Sequence, residues 1–221
     1  TGIPHIFENQ TMALKIRFRA LLTLCGDPIE NGELTIDDGK IVEISTQPEN
    51  KKNSDALDLS DCLLMPGFVN AHCHLSLTAL EKKFSPSLSF EDWIRALISL
   101  NSVLDNESRV QGICAGAEEM KLSGVTALGD YVAEPGLLEV IGGLGFRSVL
   151  FLETIGFRSE KARFLCEKVE EILKSEFSLC QLGLAPHAPY SVSPELFRYL
   201  GQLAQKYHCP LSCHVAEIQN E

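Results

Sequence analysis

The chain has 221 residues, 45% of them hydrophobic and 22% charged, with a formal net charge of -11, the proportions of a globular protein able to bury a core. The acidic balance argues against nucleic acid or an anionic membrane as a partner, since both are bound through basic surface. No apolar run approaches the ~20 residues that cross a bilayer and no charged-then-apolar leader opens the chain, so a cytoplasmic protein that neither spans nor binds a membrane is expected.

Residues 1–13 carry little periodicity, and Met12 offers a natural start. They are read as a leader or an added extension, and His5 is given no role. Residues 14–65 read as a small, β-sandwich-like module. Within it residues 15–20 alternate, Gly26-Asp27-Pro28 turns, residues 32–36 extend, Asp37-Asp38-Gly39-Lys40 turns again and residues 41–44 extend. Residues 47–55 are polar and loop-like, and residues 58–65 lead into a short apolar strand. The rhythm then changes. Ser89 caps a helix containing Trp93, Ile94, Leu97, Ile98 and Leu100, and Asn106 or Ser108 opens another that runs to Leu122. Gly124 releases a strand at 125–129, a helix follows Pro135, and strands at 146–152 and 179–185 flank an amphipathic helix at 160–174. Pro194 starts a helix through Ala204, and residues 210–214 form the last strand.

Strands separated by helices pair in parallel through right-handed crossovers, which leaves a doubly wound sheet or a (β/α) barrel. Five strands follow Met65. A barrel of eight units takes roughly 250 residues, so residues 66–221 have room for about five of them. The α/β class expected is therefore a TIM-type (β/α)8 barrel with strands 1 to 5 present.

The apolar run Leu64-Met65-Pro66-Gly67-Phe68-Val69-Asn70-Ala71-His72-Cys73-His74-Leu75 ends in two histidines one residue apart. Alternate side chains of an extended chain share a face, so His72 and His74 can address one metal ion while Cys73 points away. A lone histidine on an apolar strand is more often a hydrogen-bonded core residue. Here the pair stands at the C-terminal end of a strand, where such sheets place their chemistry, and further histidines recur after later strands. The eight cysteines are scattered through apolar segments and include no Cys-x-x-Cys, which favours reduced thiols over disulfides. His208-Cys209 with Cys213-His214 could suggest a separate zinc site, but on a strand Cys213 and His214 face opposite ways, so none is expected.

Three motifs in order, Pro66-Gly67-Phe68-Val69-Asn70-Ala71-His72-Cys73-His74, Gly183-Leu184-Ala185-Pro186-His187-Ala188-Pro189-Tyr190-Ser191-Val192-Ser193-Pro194-Glu195-Leu196 and Leu211-Ser212-Cys213-His214-Val215-Ala216-Glu217, resemble the amidohydrolase superfamily of metal-dependent hydrolases. The resemblance covers residues 14–221 and is to the deaminase branch, with its chlorohydrolases and its S-adenosylhomocysteine, methylthioadenosine and aminodeoxyfutalosine deaminases. Trp93, in Ser89-Phe90-Glu91-Asp92-Trp93-Ile94, fits the same branch.

The resemblance implies His72, His74 and His214 as metal ligands, Glu217 as the catalytic proton carrier, and His187 and Trp93 as substrate contacts. Glu217 lies three residues after His214 and on a pure strand would face the other way, so the chain must bend by Ala216. A solvated strand-exit glutamate, a helix-capping His187 and a core Trp93 are the competing readings. Arg147 and Arg158 are weaker candidates for anionic substrate groups. No lysine lies between Lys174 and Lys206, which speaks against a lysine-bridged pair of metals and for one divalent ion, zinc first, with Fe2+, Mn2+ and Ni2+ as alternatives.

The implied reaction is hydrolytic deamination of an aminated purine-like nucleoside or other nitrogen heterocycle, a small-molecule substrate, through a metal-activated water. The alternatives are hydrolysis of a cyclic amide or a C–Cl bond, and an inactive metal-binding module. The family also uses a histidine after a sixth strand and an aspartate after an eighth. Both positions fall beyond Glu221, so feeble activity and self-association, as a homo-oligomer through open strand edges, are expected of the 221-residue chain alone.

Overall fold

The computed structural model describes residues 13–46, 55–175, 177 and 179–218. The segment read as a leader, except for Ala13, and most of the loop at 47–55 lie outside the described residues. The chain divides between Pro66 and Gly67 into two compact units. Among the described residues no helix is long and apolar enough to cross a membrane.

The first unit holds β1 (Leu14–Leu21), β2 (Ile29–Asp37), β3 (Lys40–Ser45) and β4 (Leu57–Leu64) in the order β3-β2-β1-β4. β1 is antiparallel to β2 and parallel to β4. Asp38 and Gly39, at φ 46° and 68°, make the two-residue turn between β2 and β3, a position that demands left-handed backbone at both residues. The four strands form a single sheet among the described residues. Phe18, Leu21 and Leu34 make its buried cluster, while Ile41 and Val42 of β3 stay exposed.

In the second unit β5 (Phe68–Cys73), β6 (Val125–Val132), β7 (Arg147–Thr154) and β8 (Gln181–Pro186) pair in parallel in sequence order. Between them run α1 (Phe90–Val103), α2 (Asn106–Leu122), the short α3 (Leu138–Gly142) and α4 (Ala162–Lys174), and α5 (Pro194–Tyr207) follows β8. A 3-10 turn, Leu75–Leu80, leaves β5. The expected fifth strand is reduced to one bridge, Leu184 with Leu211, although residues 210–214 run alongside β8. Leu184 donates its N–H to the Pro210 carbonyl at 2.8 Å, and Ser212 and His214 donate theirs to Leu184 and His187 at 2.9 and 2.8 Å.

The helix starts follow capping chemistry. Ser89 accepts the Asp92 N–H at the start of α1, and Ser193 accepts that of Leu196 at α5, with Pro194 at the first helical position. α2 opens at Asn106, the first of the two expected positions, and Asp105 caps it by accepting the Ser108 N–H at 2.8 Å. Gly124, at φ 83°, supplies the left-handed residue between α2 and β6.

One face of the parallel sheet packs on the helices through Leu128, Val132, Leu150, Leu152 and Leu184, against Ile113, Ile141, Leu196 and Leu200. Strand alternation sends Tyr131, Phe151 and Glu153 to the other face. A flat sheet would separate the first and fifth of these segments by ~19 Å, four spacings of ~4.8 Å. The Nε2 atoms of His72 and His214 are nevertheless 3.0 Å apart. The sheet must therefore curl into the arc of a barrel, one that is not closed by the five segments present.

Close strand approach on that inner side depends on Gly129. A Cβ there would lie 2.6 Å from the Ala71 carbonyl oxygen and 3.2 Å from the Phe151 ring. Gly129→Ala is expected to destabilise the second unit by ~1–3 kcal/mol in urea unfolding, because the obstacle is neighbouring backbone. Unchanged stability would mean that the two strands are not so close.

Candidate metal centre and active site

β5 carries a register shift between Asn70 and Cys73, opposite Leu128 and Asp130 of β6. A bulge of this kind re-aims side chains at a strand exit, and here it falls on His72. The buried Asp130 fixes the chain after the motif, its Oδ1 accepting the Leu75 N–H at 2.8 Å and the Cys73 thiol at 3.3 Å. Cys73 thus points away from the histidines, as the alternation required, and burial pushes its thiol pKa above the usual range.

His72, His74 and His214 converge. Their Nε2 atoms form a triangle with sides of 3.3 Å (His72 to His74), 3.3 Å (His74 to His214) and 3.0 Å (His214 to His72). A tetrahedral ion holding imidazole nitrogens at ~2.05 Å separates them by ~3.3 Å, so the triangle has the dimensions of three ligands around one divalent ion. The His214 Nδ1 donates to the His187 carbonyl at 3.0 Å, which assigns the proton to Nδ1 and leaves the Nε2 lone pair for the shared point. Tyr131, 3% exposed, stacks on His72 at 4.2 Å between centroids and on Phe151 at 5.0 Å, and its hydroxyl is hydrogen-bonded to Ser212. It forms an aromatic support beneath the histidines.

His187 plays a part through its backbone that its side chain does not reveal. Its carbonyl accepts both the N–H and the Nδ1–H of His214, and its own N–H is bonded to the Thr154 carbonyl at 3.1 Å. The side chain is tied to Ser191 Oγ through Nδ1 at 2.7 Å, with its ring centroid 4.9 Å from that of His214. Ala216 lies at φ 58°, which is the bend required for Glu217, and the Tyr190 hydroxyl donates to Glu217 Oε2.

Trp93, on α1, has Phe84 and Phe90 as ring neighbours at 6.2 and 5.9 Å. Arg147 begins β7 and so stands at the end of the strand remote from the histidines, about 20 Å of chain from its C-terminal end, which removes it as a substrate contact. Arg158 lies beyond β7, just before a 3-10 turn. His208 is the left-handed C-cap of α5, at φ 51°.

Sequence reasoning missed Glu153, Asp130 and Tyr131. Glu153 ends β7 with a side chain 7% exposed; its Oε1 lies 3.7 Å from His214 Nδ1 and lacks a hydrogen-bond partner. Burial first, then Asp130 and Glu217, push its pKa up to about 7. Burial raises Asp130 to about 6. The histidines move the other way, chiefly through desolvation, with His72 and His187 lowered and His74 brought down to about 4.

A ring that resists protonation in the fold makes stability fall as acid is added. Metal-free His74→Asn should therefore gain on the order of 1–3 kcal/mol on the wild type from about pH 7.5 to about pH 4, because wild-type stability is lost as pH falls from 6.5 through about 4. Glu153 and Asp130 act in the opposite sense, stabilising below 4.5 and 3.8 and losing that contribution as pH rises through about 7 and about 6. Both proteins contain them, so the difference isolates the imidazole. Urea unfolding across the range measures it, and a pH-independent difference would show the ring to be solvated.

The family model described as the Amidohydrolase family matches residues 63–221. The 5'-deoxyadenosine deaminase of Methanobrevibacter smithii is 31% identical over 203 residues, which span 86% of this chain and 45% of that protein. The solved structure of Helicobacter pylori aminofutalosine deaminase in complex with methylthio-coformycin aligns with a TM-score of 0.77 at 26% identity, covering 92% of this chain and 51% of that one. An adenosine deaminase from Xanthomonas campestris with bound zinc shares the fold, with a TM-score of 0.76 at 23% identity over 94% of this chain and 50% of that one. The chain spans about half the length of the curated relatives it matches.

Proposed function

Since the chain belongs to the amidohydrolase family, in the branch of the deaminases, we propose that it serves hydrolytic deamination of an adenosine-like nucleoside at a centre held by His72, His74 and His214. The triangle of Nε2 atoms carries this reading, because it gathers residues about 140 positions apart at the spacing of ligands. A divalent ion bound there, zinc by the size and nitrogen donors of the triangle, would supply a water acidic enough to ionise near neutral pH.

The chain's own residues do the rest. Glu217, held by the Tyr190 hydroxyl, takes a proton from the attacking water and delivers it to a ring nitrogen or to the departing amine. His187 presents Nε2 towards the substrate, since Nδ1 is engaged by Ser191. Trp93 offers an aromatic wall for the heterocycle, backed by Phe84 and Phe90. The adenosine-like substrate is supported by the names of the relatives, a 5'-deoxyadenosine and an aminofutalosine deaminase.

The test combines metal analysis with ammonia release from a panel of aminated purine nucleosides. It is run on this chain and on the longest natural polypeptide that contains it. One equivalent of zinc and ammonia from a 6-aminopurine nucleoside is the expected result. Zinc uptake without ammonia from any nucleoside would favour the non-catalytic metal-binding module instead.

A further inference from the structure

We propose that Glu153 is a positioning residue of the metal centre, a buried carboxylate that acts on the bound ion through the His214 ring. This rests on the reading of His72, His74 and His214 as ligands. Glu153 stands at the C-terminal end of β7 with its side chain 7% exposed. Its Oε1 is buried and has no hydrogen-bond partner. Among the described residues its one ion-pair contact is His214 Nδ1, at 3.7 Å.

A buried carboxyl oxygen without a hydrogen bond is costly, and among the described residues none donates to it. The ion would offset that cost. Three neutral imidazoles bring no negative charge to a dication, so a carboxylate held against them stabilises the bound ion. Of the nearby carboxylates, Glu217 is exposed and bonded to Tyr190. Asp130 has one oxygen committed to Leu75 and Cys73; its other is also buried without a partner, but strand alternation puts Asp130 on the helix-packed face with Leu128 and Val132. Glu153 alone is both buried and against a ligand ring. The His187 carbonyl already holds the His214 Nδ1–H at 3.0 Å and fixes the orientation of the ring. Glu153 adds charge at the same edge, stabilising the positive character that the imidazole acquires on coordination and making Nε2 a stronger donor.

The experiment measures Zn2+ affinity of the full chain by competition with a chromogenic chelator at fixed pH, together with the melting temperature of the metal-free form. Glu153→Gln keeps the volume and removes the charge. It is expected to weaken zinc binding about 10–100-fold, the usual effect of removing such an outer partner, while the metal-free melting temperature holds or rises. Glu153→Asp keeps the charge and should bind zinc more tightly than Glu153→Gln. An affinity for Glu153→Gln within twofold of the wild type would overturn the proposal. So would the reverse order of the two variants, or a metal-free form destabilised in step with the lost affinity, which would mark a packing role. A wild-type chain that takes up no zinc fails at the ligand assignment itself, and is told apart because it fails before any variant is compared.

Discussion

His214→Ala is expected to lower zinc affinity by two to three powers of ten, more than loss of either other histidine. Structural zinc sites bind with roughly 10–16 kcal/mol spread over four ligands, so one ligand carries about 2.5–4 kcal/mol. His214 should stand at the top of that range because it is the best prepared of the three. It is 9% exposed, its Nδ1 is held by the His187 carbonyl, and its Nε2 is 3.0 and 3.3 Å from those of its neighbours. His72 is exposed and rests on Tyr131 by stacking, so part of its share goes to ordering the ring on binding. His208→Ala is the control. His208 ends α5 and, among the described residues, belongs to no cluster able to hold a metal. Titration of a chelator complex reads all three proteins, and a loss below tenfold for His214→Ala would remove the three-histidine centre as described.

Period-two alternation made part of this site legible in the sequence. It put His72 and His74 on one face and turned Cys73 away, and the structure adds a bulge at the same place. Spacing also predicted a bend before Glu217, which the left-handed Ala216 supplies. The barrel arc followed from five strand signals divided by helices, although the last of them survives as a single bridge, Leu184 with Leu211. Other features left no trace in pattern. An acid at a strand end reads as solvated, so Glu153 and Asp130 passed unremarked. The grip on His214 comes from a backbone carbonyl, and any residue at 187 could have provided it. Arg147 had the right chemistry at the wrong end of its strand, an error that residue type cannot expose and strand direction can.

Glu217→Gln should separate binding from chemistry. The amide keeps the size and the hydrogen-bonding reach of the carboxylate, and can still meet the Tyr190 hydroxyl, but it cannot take up a proton. If Glu217 moves the proton between water and the leaving amine, ammonia release falls by about 10²–10⁴-fold, the worth of a positioned general acid–base. Zinc content should stay at the wild-type level, because Glu217 is no part of the histidine triangle. Tyr190→Phe probes the same contact from the other side. It leaves the carboxylate in place and removes the hydroxyl that donates to it, so turnover should fall by about tenfold, the worth of one hydrogen bond to a charged group. Single-turnover deamination of a 6-aminopurine nucleoside, in the longest natural polypeptide that carries these residues, reads both variants. Equal losses in the two would make Tyr190 the essential partner and reduce Glu217 to its anchor. No loss in Glu217→Gln would leave an exposed strand-exit glutamate with no catalytic part, and the proton would have to travel by another group.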